Sequence, residues 1–289
     1  MNTHPLISVD ELSRNPDSYL VLEASDPAGV TLTPRGLRGR YDNPGHIPGA
    51  QFADLIHELS DPLARFPYTR PDASAFTNAL RHLGVCADSQ VVVYDRANGI
   101  WAARVWWLLK SFGHTRVSVL DGGLKAWSAR GLTLQRGTPR SSRGDFTAVP
   151  VHGYFVDRHD VEQVLAGDRQ AQLVNVLRRS VFRGEQSKYA RPGHIPGSLN
   201  LPYIELIDAT TNTLLNAREL LALLQQLTTD PALEQVLYCG SGITAAGVAL
   251  ALAVVGFDHV TVYDGSLSEW SADPALAMSA PAAPLNPNI

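Results

Sequence analysis

Cys239 is followed by Gly240, Ser241, Gly242, Ile243 and Thr244, and this is the stretch whose residue types and spacing combine into reactive chemistry. A thiolate is the strongest nucleophile a side chain supplies, and backbone N–H donors or a helix N-terminus favour it over the neutral thiol. Gly240 and Gly242 can take positive φ at no steric cost, so consecutive N–H groups can turn inward around one point. Ser241 and Thr244 add hydroxyl donors. The alternative for any lone cysteine is a buried, inert packing residue. The two glycines and two hydroxyls directly behind Cys239 favour the reactive reading.

The flanking sequence supplies the elements that must position this group. Val236 to Tyr238 reads as a short buried strand, Cys239 to Thr244 as a six-residue loop, and the apolar run from about Ala245 as a helix. That order puts the cysteine at the carboxyl end of a strand, where open parallel sheets form their ligand crevices, facing the positive end of a helix.

Strand and helix alternate elsewhere too. Leu20 to Glu23, Val91 to Tyr94 and Val117 to Leu120 read as strands. Asp72 to Leu83 and Trp101 to Phe112 read as helices, stopped by Gly84 and Gly113. The expected fold class is therefore α/β.

The second half repeats the first. Gly45-His46-Ile47-Pro48-Gly49 recurs as Gly193-His194-Ile195-Pro196-Gly197; the strand before Asp95 matches the strand before Cys239; Asp121-Gly122 and Trp127 recur as Asp264-Gly265 and Trp270. Asp95 and Cys239 are 144 positions apart, whereas Asp121 and Asp264 are 143 apart, so one residue is missing between these landmarks, most simply in the loop after Asp95 or Cys239. The predicted bounds are a first domain over 1–137, a linker over 138–153, a second domain over 154–275 and a tail over 276–289. The Ala- and Pro-rich chain from Ser271 onward reads as extended or frayed.

Composition narrows the function. The 289 residues suffice for two cores, and 45% hydrophobic with 18% charged residues is ordinary for a globular protein. A net charge of −4 without a basic run argues against a nucleic-acid partner. Met1 to Asp10 shows no charged segment leading into an apolar one, and no run reaches the length of a membrane span, so a cytoplasmic protein is expected. Two cysteines, Cys86 and Cys239, provide neither a disulfide framework nor zinc spacing. No metal or cofactor is expected, and protein partners stay open.

On these residues the chain resembles the tandem rhodanese-type sulfurtransferases, the thiosulfate and 3-mercaptopyruvate sulfurtransferase family, from roughly Leu6 to Trp270. The resemblance rests on the duplicated Gly-His-Ile-Pro-Gly, the duplicated Asp-Gly and Trp block, and a cysteine loop present only in the second copy. It implies two similar domains, each a mostly parallel five-stranded sheet flanked by helices. It also implies transfer of sulfane sulfur from a small-molecule donor to a thiophilic acceptor through a persulfide on Cys239, with Gly240, Ser241, Gly242, Ile243 and Thr244 binding the substrate.

The loop is similar to the mercaptopyruvate form, Cys-Gly-Ser-Gly-Val-Thr, and lacks the two basic residues of the thiosulfate form. Asn175-Val176-Leu177 and Val181 stand where that family carries Asp-Ala-Arg and a second arginine. Arg178, Arg179, Arg183, Lys188 and Arg191 could replace the missing cations, each with solvated surface charge as the competing reading. Arg183 and Arg191 are taken as substrate-binding candidates. His46 matches a histidine that the family assigns to a proton relay with a serine, here Ser241, and an aspartate, for which Asp42 is a stand-in; hydrogen bonding of the ring to backbone is the plainer reading of both His46 and His194. Asp95 is expected to cap its own loop, which with Arg96, Ala97 and Asn98 lacks the two-glycine cradle. Trp101, Trp106 and Trp107 read as core, with Trp101 able to reach an interface.

Two other functions compete. A cysteine-loop phosphatase or arsenate reductase needs an arginine six residues after the cysteine, and Ala245 stands there. A persulfide carrier or binding module with a diverged pocket would load sulfur without turning over.

Overall fold

The computed structural model describes residues 4–24, 31–33, 36–38, 45–137, 139, 141–225, 227 and 232–280. The first half runs β1 (Leu6–Ile7), α1 (Val9–Arg14), β2 (Leu20–Glu23), a small antiparallel pair β3 (Thr31–Thr33) and β4 (Gly36–Arg38), β5 (Gln51–Phe52), α2 (Ala73–His82), β6 (Val91–Tyr94), α3 (Ile100–Ser111), β7 (Val117–Leu120) and α4 (Gly123–Ala129). The second half runs β8 (Phe155–Val156), α5 (Arg158–Ala166), β9 (Ala171–Asn175), α6 (Arg179–Phe182), β10 (Leu199–Asn200), α7 (Ala217–Leu224), β11 (Glu234–Tyr238), α8 (Ile243–Val254), β12 (Val260–Tyr263) and α9 (Ser266–Trp270).

Each half forms a five-stranded sheet, in the order β1-β7-β6-β2-β5 and β10-β9-β11-β12-β8, and all the strand pairs in both are parallel. This is the expected α/β class of two similar, helix-flanked sheets. Val91 to Tyr94 are all buried, as an inner parallel strand covered by helices on both faces must be. Asp72 caps α2 by accepting the Ala75 N–H at 2.7 Å, and Phe76, Ala79 and Leu80 form its inward stripe.

The two copies are pinned alike. Each Gly-His-Ile-Pro-Gly turn is tied to the last tyrosine of an inner strand: the Ile47 N–H donates to Tyr94 Oη at 3.2 Å and the Ile195 N–H to Tyr238 Oη at 3.0 Å. His46 exchanges backbone bonds with Gln135, and His194 does the same with Ser279. The tail therefore differs from the frayed segment expected from Ser271 on. Through Ala280 it is the second copy of the chain that follows α4, and backbone pairing fixed what composition could not show.

Helices α3 and α8 are apolar almost all round, and each packs its outer face on the other across the two halves. Trp106 and Trp107 are buried in this seam, and Trp107 Nε1–H donates to the Tyr154 carbonyl at 3.1 Å. Trp101 is half-buried, edge-on to Tyr68. The chain between the halves is bound to the first: the N–H groups of Gly144, Phe146, Val149 and Val151 donate to the carbonyls of Arg81, Val85, Phe112 and Ser111.

Candidate active site

Cys239 follows β11 directly and is 1% exposed. The helix behind it begins at Ile243, two residues earlier than expected, with Gly242 as its N-cap at φ 76°. The loop proper is therefore Cys239 to Gly242, and Ile243 and Thr244 form the first turn of α8. The corresponding turn in the first half runs from Asp95 to Gly99, itself an N-cap glycine at φ 92°, so the expected one-residue deletion falls in this loop.

The first half shows what such a turn does. The Asp95 side chain accepts four backbone N–H groups: Ala97 and Gly99 on Oδ1 at 2.9 and 3.0 Å, Trp101 and Ala102 on Oδ2 at 3.0 and 3.1 Å. Burial raises the carboxyl's pKa above its ordinary value, and these four amides oppose the shift. Asp95 thus caps its loop as expected, and the loop, which lacks the two-glycine pattern, nevertheless forms a cradle. The cradle is formed by helix-start amides and one left-handed glycine, and it is closed around the chain's own carboxylate. In the second half Cys239 stands at the position of Asp95, and Gly242, Thr244 and Ala245 stand in register with Gly99, Trp101 and Ala102.

The rear of the cysteine loop is held by α9. Cys239 N–H donates to Ser266 Oγ at 3.2 Å, the Cys239 carbonyl accepts from Leu267 N–H at 3.1 Å, and the Gly240 carbonyl accepts from both the N–H and the hydroxyl of Ser268. Ser266 is buried at φ 50°, a left-handed conformation rare for a serine, and its hydroxyl also donates to the Tyr263 carbonyl at 2.8 Å. Sequence reasoning missed Ser266. The repeat held the signal, because Ser266 aligns with Gly123, which takes φ 54°.

Two further residues close on the loop. Tyr189 Oη lies over Gly240, only 2.1 Å from where a Cβ would be, which explains why that position excludes a side chain. The Tyr189 phenol is pushed up to about 12 by burial and then by charge on Cys239. Arg104 reaches across from α3 of the first half and is 1% exposed. Its Nη2 donates to Asp264 Oδ1 at 2.6 Å and to the Tyr68 carbonyl at 2.7 Å, its plane lies over Phe155, and its Nη1 stands 2.9 Å from a Cβ built on Gly242. The other Asp264 oxygen accepts the Arg70 backbone N–H at 2.7 Å. The cysteine turn is therefore backed by a buried ion pair that joins the two halves.

The substrate-binding candidates separate cleanly. Arg191 donates to the carbonyls of Trp270, Ser271, Asp273 and Leu276 at 2.5–3.1 Å, so four of its N–H groups fix the tail and are not available to a substrate. Arg183 is exposed and bonded to Glu185 through two contacts at 2.6 and 3.1 Å. Arg179 is held by Glu205 in the same way. Both ring nitrogens of His46 lie 2.8 Å from carbonyl oxygens, those of Ile47 and Gly137. His194 bonds the Phe182 carbonyl and stacks on that ring. Both histidines thus hold turns, as the plainer reading expected. Asp42 lies outside the described residues. Among the described residues no cluster of His, Cys, Asp and Glu could hold a metal, and no helix is long and apolar enough to cross a membrane.

A cavity of about 160 Å³ opens beside the loop at the junction of the halves. Asn98 and Ile100 line it from the first half, and Val176, Leu177, Arg178 and Thr244 from the second. Tyr203 forms another wall and donates its hydroxyl to the Asn98 carbonyl at 2.6 Å.

A pair of parallel five-stranded sheets related by an internal repeat, with a buried cysteine on a helix-start turn in the second, defines a tandem α/β protein with one thiol centre. The rhodanese-like domain profile matches residues 9–130 and 167–273, and the chain belongs to that family. It is 36% identical over 241 residues to the 3-mercaptopyruvate sulfurtransferase of Escherichia coli (strain K12), covering 82% of this chain and 84% of that one. It is also 36% identical over 230 residues to the 3-mercaptopyruvate sulfurtransferase of Homo sapiens, covering 78% and 76%. The crystal structure of SseA from Escherichia coli superposes with a TM-score of 0.77 at 34% identity, over 92% of this chain and all of that one.

Proposed function

We propose that this protein is a sulfurtransferase working by double displacement through a persulfide on Cys239. The observation that carries this reading is the pair of matched turns: in one a carboxylate is held by four amides, and the other carries a cysteine at the matching position. At Asp95 the amides offset part of the cost of burying a negative charge, and amides turned toward Cys239 would act on an anionic sulfur in the same sense.

The Cys239 thiolate attacks the outer sulfur of the donor and an S–S bond forms. With 3-mercaptopyruvate the carbon–sulfur bond breaks, its electron pair passes into the enolate of pyruvate, and the thiol proton of the transferred sulfur ends on that carbon. With thiosulfate the donor's S–S bond breaks and sulfite leaves. An acceptor such as cyanide or a thiol then takes the outer sulfur and the Cys239 thiolate is restored. The absence of basic residues in the loop favours a monoanionic 2-oxo acid over the thiosulfate dianion. Gly240, Ser241, Gly242, Ile243 and Thr244 surround the transferred sulfur, and a cytoplasmic location accompanies this reading.

The first domain is catalytically silent, because its cradle holds a carboxylate that cannot carry sulfane sulfur, and it walls the site against water. Initial rates with each donor and cyanide test the proposal. Parallel double-reciprocal lines and loss of turnover in Cys239→Ser are expected. A single loading without release in the native protein would favour the carrier reading.

A further inference from the structure

The proposed reaction brings a small carboxylate-bearing donor to Cys239, and nothing in the cysteine loop carries a positive charge. The cavity at the junction of the halves adjoins the start of the helix that follows Cys239. Thr244, in the first turn of α8, forms part of its wall. Val176, Leu177 and Arg178 leave the carboxyl end of β9, which pairs directly with β11, and the Val176 N–H donates to the Tyr238 carbonyl at 3.0 Å, one residue before the cysteine. Its volume, about 160 Å³, is well below the roughly 300–1,000 Å³ of pockets for drug-sized ligands and suits a molecule of a few heavy atoms.

Arg178 is the cation on this wall. The neighbouring arginines are committed elsewhere: Arg179 to Glu205, Arg183 to Glu185 and Arg191 to four carbonyls of the tail. Among the described residues no carboxylate lies within ion-pair distance of Arg178, and no hydrogen bond engages its guanidinium. A planar guanidinium matches a carboxylate through two parallel N–H bonds. Asn98, Tyr203 and Thr244 are the uncharged polar residues of the lining, and Ile100, Val176, Leu177 and Ile204 are the apolar ones.

We propose that this cavity is the donor pocket and that Arg178 binds the donor's carboxylate, holding the sulfur end toward Cys239. This deepens the sulfurtransferase reading and rests on it for the donor's identity. One domain thus supplies the nucleophile and the cation, and the other closes the pocket with Asn98 and Ile100.

The test compares the native protein with Arg178→Ala and Arg178→Lys. With 3-mercaptopyruvate, Arg178→Ala is expected to raise KM about 10- to 100-fold with little change in kcat, the pattern of lost uniform binding, and Arg178→Lys to recover part of it. A second readout needs no turnover: alkylation of Cys239 by anionic iodoacetate relative to neutral iodoacetamide. That ratio should fall in Arg178→Ala, while the iodoacetamide rate, which reports the loop alone, stays the same. An unchanged KM together with an unchanged alkylation ratio would overturn the assignment. If the native protein turned over neither donor, the sulfurtransferase reading would fail, and the alkylation ratio would still decide whether Arg178 draws a carboxylate to the cysteine.

Discussion

At the scale of single residues, the cysteine turn tolerates almost no added volume. Gly240→Ala would place a methyl group into Tyr189, whose hydroxyl, Cζ and Cε1 all lie within 3 Å of that position. Loss of about 1–3 kcal/mol of stability is expected, as for other overpacked sites. Adding Tyr189→Ala should recover much of it, and a double-mutant cycle from urea unfolding measures the coupling. Additive losses would show that the strain lies in the backbone. The cysteine turn could be singled out from the residues alone, because their types are chemical statements in themselves. Tyr189, Arg104 and Ser266 could not. Their roles depend on which distant segments meet at the turn, and spacing along the chain does not carry that information. The same limit misplaced Arg191, a cation near the right motif whose guanidinium points into the tail.

At the scale of elements, Asp95 and its four amides form one unit. Burial raises its carboxyl pKa, so the native chain binds that proton more tightly than the unfolded chain. The associated stability is fully present below the ordinary carboxyl pKa and is lost as pH rises through the raised native value. Asp95→Asn cannot ionise and places an amide N–H₂ against two of the four donors. The native protein's advantage over Asp95→Asn should therefore grow as pH falls from neutral toward about 4, read from urea midpoints. A constant or shrinking advantage would contradict this environment. The alternation of strand and helix and even the single-residue deletion between the cysteine and aspartate loops could be read from periodicity and the repeat, whereas the two five-stranded sheets were implied by the family resemblance. The cradle in the first loop could not be read in either way, since Arg96-Ala97-Asn98 has no resemblance to Gly-Ser-Gly. Backbone amides at a helix start do the binding there, and side-chain identity hides them.

At the scale of the molecule, the halves are joined by the packed pair α3 and α8 and by the buried bridge from Arg104 to Asp264, with side chains 1% and 16% exposed. Removing one partner of such a pair costs about 3–5 kcal/mol, mostly by stranding the other charge. Arg104→Ala should therefore weaken the junction, so that calorimetry resolves two transitions where the native protein shows one. It should also lower turnover, since Arg104 backs Gly242. A single transition at the native temperature would show that the apolar seam alone joins the halves. The central claim is that Cys239, and nothing in the first half, carries the transferred sulfur. Intact-protein and peptide mass spectrometry after incubation with 3-mercaptopyruvate or thiosulfate, without acceptor, tests it most directly. The expected result is one added sulfur atom per chain, located on Cys239 and removed by cyanide. An unmodified Cys239 after both donors, or sulfur found on Cys86 instead, would contradict the account.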